Sequence, residues 1–181
     1  MENLIKIEDK EFKPYLTNAQ IESAIDEVAR KINADYEGTG KRPIIMCVLE
    51  GSLLFTSELM KRLTIPCELM SVKMTSYAGT QSTGVVKKTL GLTRSIEGRE
   101  VIVCEDIVDT GCTIRSMLSY LEEQGATAVK FCTLLLKPDV YQNDIPLDYV
   151  AIEIENKFIV GFGLDYNQFG RNLPDIYQIN A

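Results

Sequence analysis

Six consecutive apolar residues, Ile44 to Leu49, follow Pro43 and end where Glu50 begins a tight turn. A strand that is apolar at every position has no face for water, so it has to be covered on both sides. Two further apolar strands are predicted at Val101–Cys104 and Val129–Leu136. We therefore predict a parallel sheet whose strands lie between two layers of helices.

Segments with helical periodicity separate these strands. Thr17 and Gln20 match a capping box that opens one amphipathic helix. A second helix is predicted to end before Pro66, and a third to run from Thr113 to the stop at Gly125. The apolar stripes of the three helices are Ile21, Ile25, Val28 and Ile32; Phe55, Leu59 and Leu63; and Ile114, Met117, Leu118 and Leu121. Alternating strands and helices predict right-handed crossovers, with ligands bound beyond the carboxyl ends of the strands.

The remaining segments complete the expected order of elements. Cys67–Met74, Tyr149–Ile154 and Phe158–Phe162 are predicted strands. Thr75 to Gly98 has no sustained period, and a segment of that kind inside a compact domain predicts a mobile functional loop. The end of the chain, Asp165 to Ala181, is predicted to be mostly irregular.

The composition excludes several classes of function. The 181 residues carry 19 Lys and Arg against 26 Asp and Glu, a net charge of −7, so we expect no nucleic-acid partner. The chain has no His, which excludes Ser-His and Cys-His nucleophile pairs and leaves proton transfer to Asp, Glu, Lys, Tyr or Cys. Its five cysteines form no zinc-like pattern. Because no stretch approaches ~18 uncharged apolar residues, no membrane partner and a cytoplasmic location are expected.

The segment from Val101 to Thr113 carries the strongest chemical signal. Its apolar strand ends in Glu105 and Asp106, and Asp109 begins a small, glycine-containing turn that opens a helix. Backbone N–H groups in such a turn can hold a phosphate, and vicinal carboxylates can accept hydrogen bonds from ribose hydroxyls or share a hydrated Mg²⁺. The pattern predicts a sugar-phosphate site, although exposed strand-end acids followed by a Thr-Gly helix cap would have the same spacing.

The same segment resembles the phosphoribosyl pyrophosphate loop of the type I phosphoribosyltransferases, in which an apolar strand, two acids and two apolar residues precede D-[ST]-G-x-[ST]. Nearly the whole chain is similar to the hypoxanthine-guanine branch of that family. The other matching segments are Leu49-Glu50-Gly51, Ser76-Tyr77 with Gln81-Ser82-Thr83-Gly84, Leu136-Lys137, Lys157-Phe158-Ile159-Val160-Gly161, and Leu164-Asp165-Tyr166 followed by Arg171. The resemblance implies an α/β fold with a parallel twisted sheet flanked by helices and a small hood from the N- and C-terminal segments. It makes 1–181 a single phosphoribosyltransferase domain, with a core at about 36–150 and the hood at about 1–35 and 155–181.

The resemblance also implies an activity in purine salvage. The 5-phosphoribosyl group of phosphoribosyl pyrophosphate would pass to hypoxanthine, guanine or both, and pyrophosphate would leave. Asp109 is the implied general acid or base at purine N7, and a carboxylate suits that role in a chain without His. Glu105 and Asp106 would take the ribose hydroxyls and stabilise the positive charge that develops on the sugar. The residues implied to hold the 5′-phosphate through their amides are Asp109, Thr110, Gly111, Cys112 and Thr113.

The base and the metal have implied positions as well. Lys137 would donate to purine O6, Phe158 would stack on the base, and the Ile159 backbone would read its edge; an exposed lysine and a core aromatic are the structural alternatives. Arg171 would meet the pyrophosphate as a planar fork, and Asp165 would hold a second Mg²⁺, although either could form a surface ion pair. The implied Mg²⁺ ligands are Glu105, Asp106 and Asp165.

The segment Leu49-Glu50-Gly51 corresponds to the pyrophosphate loop of the family, which has a non-proline cis peptide and binds through backbone amides. Many relatives have Lys at the position of Glu50, so the negative side chain here has no evident binding role unless Mg²⁺ intervenes. Ser76 and Tyr77 are implied to close over the reacting centre and exclude water from it.

Three other functions stay open on the sequence. A regulatory protein could keep the phosphoribosyl pyrophosphate loop to sense nucleotides, but the acidic charge and the lack of a basic cluster argue against RNA or DNA binding. A related transferase could use xanthine or another base. A receiver-like phosphoryl-accepting domain would also have clustered acids, but it leaves Phe158 to Arg171 unexplained. Relatives imply a homodimer or homotetramer.

Overall fold

The computed structural model describes residues 4–76, 86–142 and 144–180, and only the backbone of 75–76 and 86–89. Within these ranges the elements, in chain order, are β1 (Ile5–Ile7), β2 (Lys10–Leu16), α1 (Asn18–Tyr36), β3 (Ile44–Val48), α2 (Leu53–Arg62), β4 (Glu68–Ser76), β5 (Val86–Leu90), β6 (Glu100–Val108), α3 (Cys112–Glu123), β7 (Ala128–Leu136), β8 (Tyr149–Glu153), β9 (Ile159–Val160) and β10 (Ile176–Ile179). None of the helices described is long and apolar enough to cross a lipid bilayer.

The larger sheet has the strand order β5-β4-β3-β6-β7-β8. Five neighbouring strands of this sheet, β4, β3, β6, β7 and β8, pair in parallel. The strand β5 pairs with β4 at the edge of the sheet in the antiparallel direction. All five residues of β3 are buried, as their apolar run predicts for a central strand. The predicted parallel α/β sheet is therefore confirmed.

Helices cover both faces of this sheet. Ile45 and Ile102 belong to the core cluster under α1 and α2, whereas Met46 and Val103 belong to the cluster under α3. Successive side chains of a strand point to opposite faces, so one apolar run supplies both cores. The predicted capping box is present, because the Gln20 N–H donates to the side chain of Thr17, the N-cap of α1, and the Thr17 N–H donates to the side chain of Gln20.

A smaller antiparallel sheet, β1-β2-β10-β9, joins the two ends of the chain. The β1-β2 hairpin was not predicted, because β2 combines charged residues with Pro14 and shows no clear alternation. The prediction of an irregular end is wrong at Ile176–Ile179, where β10 pairs with β2 and β9. The strand predicted at Phe158–Phe162 is shorter, because only Ile159–Val160 is extended within the sheet.

The segment Thr75 to Gly98, predicted as a loop without secondary structure, is partly strand. β4 extends to Ser76, and Val86–Leu90 pairs with it as β5. Three charged or polar residues in β5 give it no apolar signal, which explains the error. Tyr77 and the residues up to 85 lie outside the described ranges.

Parallel pairing places the carboxyl ends of the central strands at one edge. Val48 of β3 pairs with Val72 of β4, and Val108 of β6 pairs with Leu136 of β7. Since β3 also pairs with β6, the segments that follow these strands are neighbours. We expect a ligand site at this edge of a parallel sheet.

Candidate active site

A short turn that contains glycine follows β6. Asp109 and Thr110 lead to Gly111, whose φ of +84° lies in the left-handed region that favours glycine, and α3 then begins at Cys112. The Thr110 hydroxyl donates to the sulfur of Cys112 at 3.4 Å. A cavity is lined by the five residues of the predicted phosphate site, together with four others of the same segment: Asp109, Thr110, Gly111, Cys112 and Thr113, with Glu105, Ile107, Val108 and Ile114. Backbone N–H groups at the start of a helix are suited to hold an anion.

Two vicinal carboxylates stand at the end of β6, beside that turn. Glu105 is only 6% exposed, and its Oε1 atom has no hydrogen-bond partner among the described residues. Burial and the neighbouring Asp106 raise the pKa of Glu105 well above its usual value. Burial also raises the pKa of Asp106 to about 6, although its Oδ1 accepts the Ile107 N–H at 2.9 Å. A buried carboxylate oxygen without a donor, as in Glu105, is suited to accept a ribose hydroxyl or to hold a cation.

A buried lysine holds the third carboxylate. The Lys137 ammonium donates to Asp109 Oδ2 at 3.2 Å and to Asn156 Oδ1 at 3.1 Å. Lys137 is 7% exposed, so the alternative of an exposed lysine does not apply. The Asp109 side chain is about half exposed and faces the site edge. The two residues that were predicted for proton transfer and for base recognition are therefore in direct contact.

The predicted stacking residue lies on the smaller sheet. Phe158 is 45% exposed, so it is not a core aromatic, while Ile159 beside it is buried in β9. Phe158 packs edge-on against Tyr166, with ring centres 5.8 Å apart, and lies near Phe12 of β2. The Tyr166 hydroxyl donates to Asp9 in the β1-β2 turn. An exposed ring face held by two other rings is a suitable surface for a planar base.

The loop after β3 approaches both the acids and the smaller sheet. Its Leu49-Glu50 peptide bond is cis, as the resemblance implies. A Cβ atom at Gly51 would lie 1.7 Å from Asp106 Oδ2, and one at Gly163 would lie 2.0 Å from the Gly51 carbonyl oxygen. Gly163 therefore requires glycine, whereas a side chain at Gly51 would displace the Asp106 carboxylate; the segment after β9 lies directly against the predicted pyrophosphate loop.

Asp165 and Arg171 form an ion pair with each other. The shortest distance from the guanidinium to Asp165 Oδ1 is 2.7 Å, and the Arg171 Nη1 atom also donates to the Gly163 carbonyl at 2.7 Å. Asp165 Oδ2 accepts the Gln168 N–H at 2.8 Å. Both side chains are about three-quarters buried, so this pair is more sheltered than the surface pair that the sequence left open.

The three residues predicted to bind Mg²⁺ do not form a ready-made metal cage. Among the described residues, no group of three or more carboxylates and thiols is placed to hold a metal ion. Asp165 is close enough to raise the pKa of Asp106, and Glu105 has an unpartnered buried oxygen. Mg²⁺ usually takes one or two carboxylates together with water and substrate phosphates. The residues present therefore fit an ion that is completed by the substrate.

The sequence analysis assigned no role to three residues of this site. Asn156 accepts from Lys137, Lys73 lies 2.7 Å from Glu50, and Tyr166 supports Phe158. The only available signal was their position in the sequence. Asn156 directly precedes a matched segment, and Lys73 lies in the strand predicted at Cys67–Met74, just before the predicted loop. Of the predicted residues, Tyr77 and the side chain of Ser76 lie outside the described structure.

Known proteins share both the sequence and the fold of this chain. Residues 12–167 match the family model for the Phosphoribosyl transferase domain. A hypoxanthine-guanine phosphoribosyltransferase of Streptococcus thermophilus (strain CNRZ 1066) is 39% identical over 168 residues, 92% of each chain. A hypoxanthine-guanine-xanthine phosphoribosyltransferase of Tritrichomonas foetus is 39% identical over 158 residues, 86% of this chain and 85% of that protein. The crystal structure of a hypoxanthine phosphoribosyltransferase from Staphylococcus aureus has a TM-score of 0.87 at 35% identity, covering 93% of this chain and 91% of that one.

The raised pKa of Asp106 predicts a pH-dependent stability. The folded protein binds a proton on Asp106 up to a pH of about 6, whereas the unfolded chain releases it near the ordinary value of 3.8. This contribution to stability is complete below the lower pKa and is lost as the pH rises through the higher one. We expect Asp106→Asn, which stays neutral, to be about 1–3 kcal/mol more stable than wild type at pH 8 and to lose that advantage towards pH 4.

Urea unfolding between pH 4 and pH 8 measures this difference, with Asp139→Asn, a change at an exposed carboxylate, as the control. A gap between Asp106→Asn and wild type that does not change with pH would show that the Asp106 carboxylate is not destabilised by folding.

Proposed function

We infer the chemistry of this site from one premise, that the chain belongs to the phosphoribosyltransferase family and to its hypoxanthine-guanine branch. The protein transfers a 5-phosphoribosyl group to a 6-oxopurine in purine salvage. The observation that carries the assignment of roles is the contact of Asp109 with the buried Lys137, beside the turn that opens α3. The substrates are phosphoribosyl pyrophosphate and the purine base.

The phosphate end of the substrate is bound mainly by backbone. We propose that the N–H groups from Asp109 to Thr113 hold the 5′-phosphate, since that turn opens a helix and lines a cavity. The ribose hydroxyls donate to Glu105 and Asp106, and the unpartnered Glu105 Oε1 receives one of these hydrogen bonds. The same carboxylates stabilise the positive charge that develops at the ribose C1′ atom as its bond to pyrophosphate breaks.

The purine base is assigned contacts at both its edge and its ring face. Purine O6 and N7 lie on the same edge of the base, so a donor to O6 and an acid–base group at N7 have to be neighbours. Lys137 and Asp109 satisfy this condition at 3.2 Å. We assign proton uptake from N7 to Asp109 while N9 forms the new bond to C1′, and we assign the O6 contact to Lys137. Phe158 stacks on the base face, and the Ile159 backbone reads its remaining edge.

We propose Mg²⁺ as the metal, with Glu105, Asp106 and Asp165 as the residues that hold it through water, ribose or phosphate oxygens. A bound Mg²⁺ neutralises phosphate charge. Arg171 faces the pyrophosphate side by its position next to Gly163 and the loop at Gly51. Leu49, Glu50 and Gly51 bind pyrophosphate through their amides, and Ser76 with Tyr77 closes over the site. A homodimer or homotetramer and a cytoplasmic location complete the proposal.

The direct test is turnover with each base. We expect pyrophosphate release when the protein is mixed with phosphoribosyl pyrophosphate, Mg²⁺ and hypoxanthine or guanine, and none with adenine, because the Lys137 ammonium can only donate and the 6-amino group offers it no acceptor. Xanthine is measured in the same series, since a relative carries that base in its name. Absence of turnover with every 6-oxopurine would refute the proposed activity.

Asp109→Asn tests the assignment of the proton. The amide keeps the shape of the side chain but cannot take a proton, so we expect kcat to fall about 10²- to 10⁴-fold with little change in the affinity for phosphoribosyl pyrophosphate. Steady-state kinetics and direct binding separate the two effects. A large loss of affinity with an unchanged kcat would reassign Asp109 to substrate binding.

Asn156 is proposed as a positioning residue for Lys137. Asn156→Ala removes an acceptor from the ammonium, and we expect the KM for hypoxanthine to rise about 10-fold while the KM for phosphoribosyl pyrophosphate stays unchanged. Asn156→Asp keeps an acceptor and should restore most of the base affinity. The exposed Asn180 provides the matched control as Asn180→Ala. An equal rise in both KM values would indicate a general disturbance of the site instead.

A further inference from the structure

The acid in the pyrophosphate loop has a lysine partner on the next strand. Glu50 Oε1 lies 2.7 Å from the Nζ atom of Lys73. This pair joins the loop after β3 to the part of β4 beside it, across 23 positions of sequence. A lysine is thus present at the loop, although the loop itself carries an acid.

The backbone determines where Lys73 stands. Val48, the last residue of β3, pairs with Val72, and the Leu49 N–H donates to the Val72 carbonyl at 2.8 Å. Lys73 is the next residue of β4, so its Cα is held beside the loop by the sheet ladder itself. Its long side chain keeps rotational freedom at the ammonium end.

The other cation that acts on Glu50, Arg171, already has an acidic partner. Arg171 is close enough to act with Lys73 in holding the pKa of Glu50 below its ordinary value, so Glu50 is ionised at neutral pH. Arg171 itself is paired with Asp165. Lys73 is therefore the charge that Glu50 binds directly, and no other acid is paired with Lys73 among the described residues.

We propose that Lys73 is a further pyrophosphate-binding residue, and that Glu50 is the exchange partner that holds its ammonium at the loop when pyrophosphate is absent. This inference rests on the proposed function. The side chain of Lys73 is 33% exposed and that of Glu50 is 48% exposed, so water weakens their ion pair and it is easily broken. Pyrophosphate presents several charged oxygens to the same ammonium and competes well for it.

The exchange also limits how tightly the product is held. When pyrophosphate leaves, the carboxylate of Glu50 recaptures Lys73, so part of the interaction lost to pyrophosphate is recovered within the protein. Glu50 thus opposes pyrophosphate in two ways, by repulsion and by competition for Lys73. It has no such effect at the 5′-phosphate, which the proposed function assigns to the amides of the separate turn at Gly111.

The test compares binding of pyrophosphate with binding of the nucleotide product. Calorimetry with the full chain measures magnesium pyrophosphate and inosine monophosphate separately. We expect Lys73→Gln to weaken pyrophosphate binding about 5- to 10-fold and leave the nucleotide unchanged, and Glu50→Gln to strengthen pyrophosphate binding about 2- to 5-fold. In the double variant the gain from Glu50→Gln should become smaller, because the part of its effect that comes from competition for Lys73 is lost and only the repulsion by Glu50 itself is relieved.

Two controls keep the outcome specific. Lys73→Arg retains the charge and should bind pyrophosphate nearly as well as wild type. Lys61→Gln breaks the comparable ion pair with Glu58 at the far end of α2 and should change nothing. Thermal unfolding of every variant confirms that it is folded.

Unchanged pyrophosphate affinity in Lys73→Gln would overturn the role of Lys73. Strictly additive effects in the double variant would show that Glu50 acts by its own charge and would overturn the exchange. Failure of the wild-type protein to turn over any 6-oxopurine would refute the proposed function instead, and the pyrophosphate titration would still report on Lys73.

Discussion

Parallel pairing of strands that are apolar on both faces is the constraint on which the rest of the structure depends. Because β3 and β6 bury both faces, their polar neighbours can stand only where the strands end. The ladder puts those ends in register, so Asp109 after β6 meets Lys137 after β7 although 28 positions separate them. Glu105 and Asp106 are exceptions, since both lie inside β6, and the buried Glu105 has an oxygen without a hydrogen-bond partner among the described residues. The site is therefore a product of the sheet and not of any one motif.

The two sheets carry residues that are assigned to different parts of the substrate. The larger sheet carries the turn at Gly111 and the acids of β6, which are assigned to phosphate and ribose. The smaller sheet carries Phe158, and its neighbour Tyr166 is tied to Asp9 near the start of the chain. In the proposed function, base stacking therefore depends on both ends of the chain, whereas phosphate binding depends on the middle. Contact between the sheets is close, because Gly163 lies against the Gly51 carbonyl without room for a side chain.

Sequence reasoning recovered the elements whose signal lies within one segment. The run Ile44–Leu49 predicts β3, and the spacing of apolar residues predicts α1 and its cap. It failed where the structure depends on distant pairing: β10 is four residues long and is formed by its neighbours β2 and β9. The same reason applies in the site. The phosphate turn is one contiguous pattern, but the contact of Lys73 with Glu50 follows from strand register and cannot be read from either residue alone.

An acidic chain that binds an anionic substrate has to supply attraction without a basic surface. Each of three cations at the site edge is paired with an acid: Lys137 with Asp109, Lys73 with Glu50, and Arg171 with Asp165. These pairs cancel, and the two further carboxyl groups, Glu105 and Asp106, whose pKa values are raised by burial, add no positive charge to the edge. In the proposed function, attraction comes from backbone N–H groups, from a divalent cation brought with the substrate, and from ammonium groups that exchange a carboxylate for a phosphate. On that proposal the site takes its substrate as a magnesium complex, which is a form of selectivity that net charge alone would not predict.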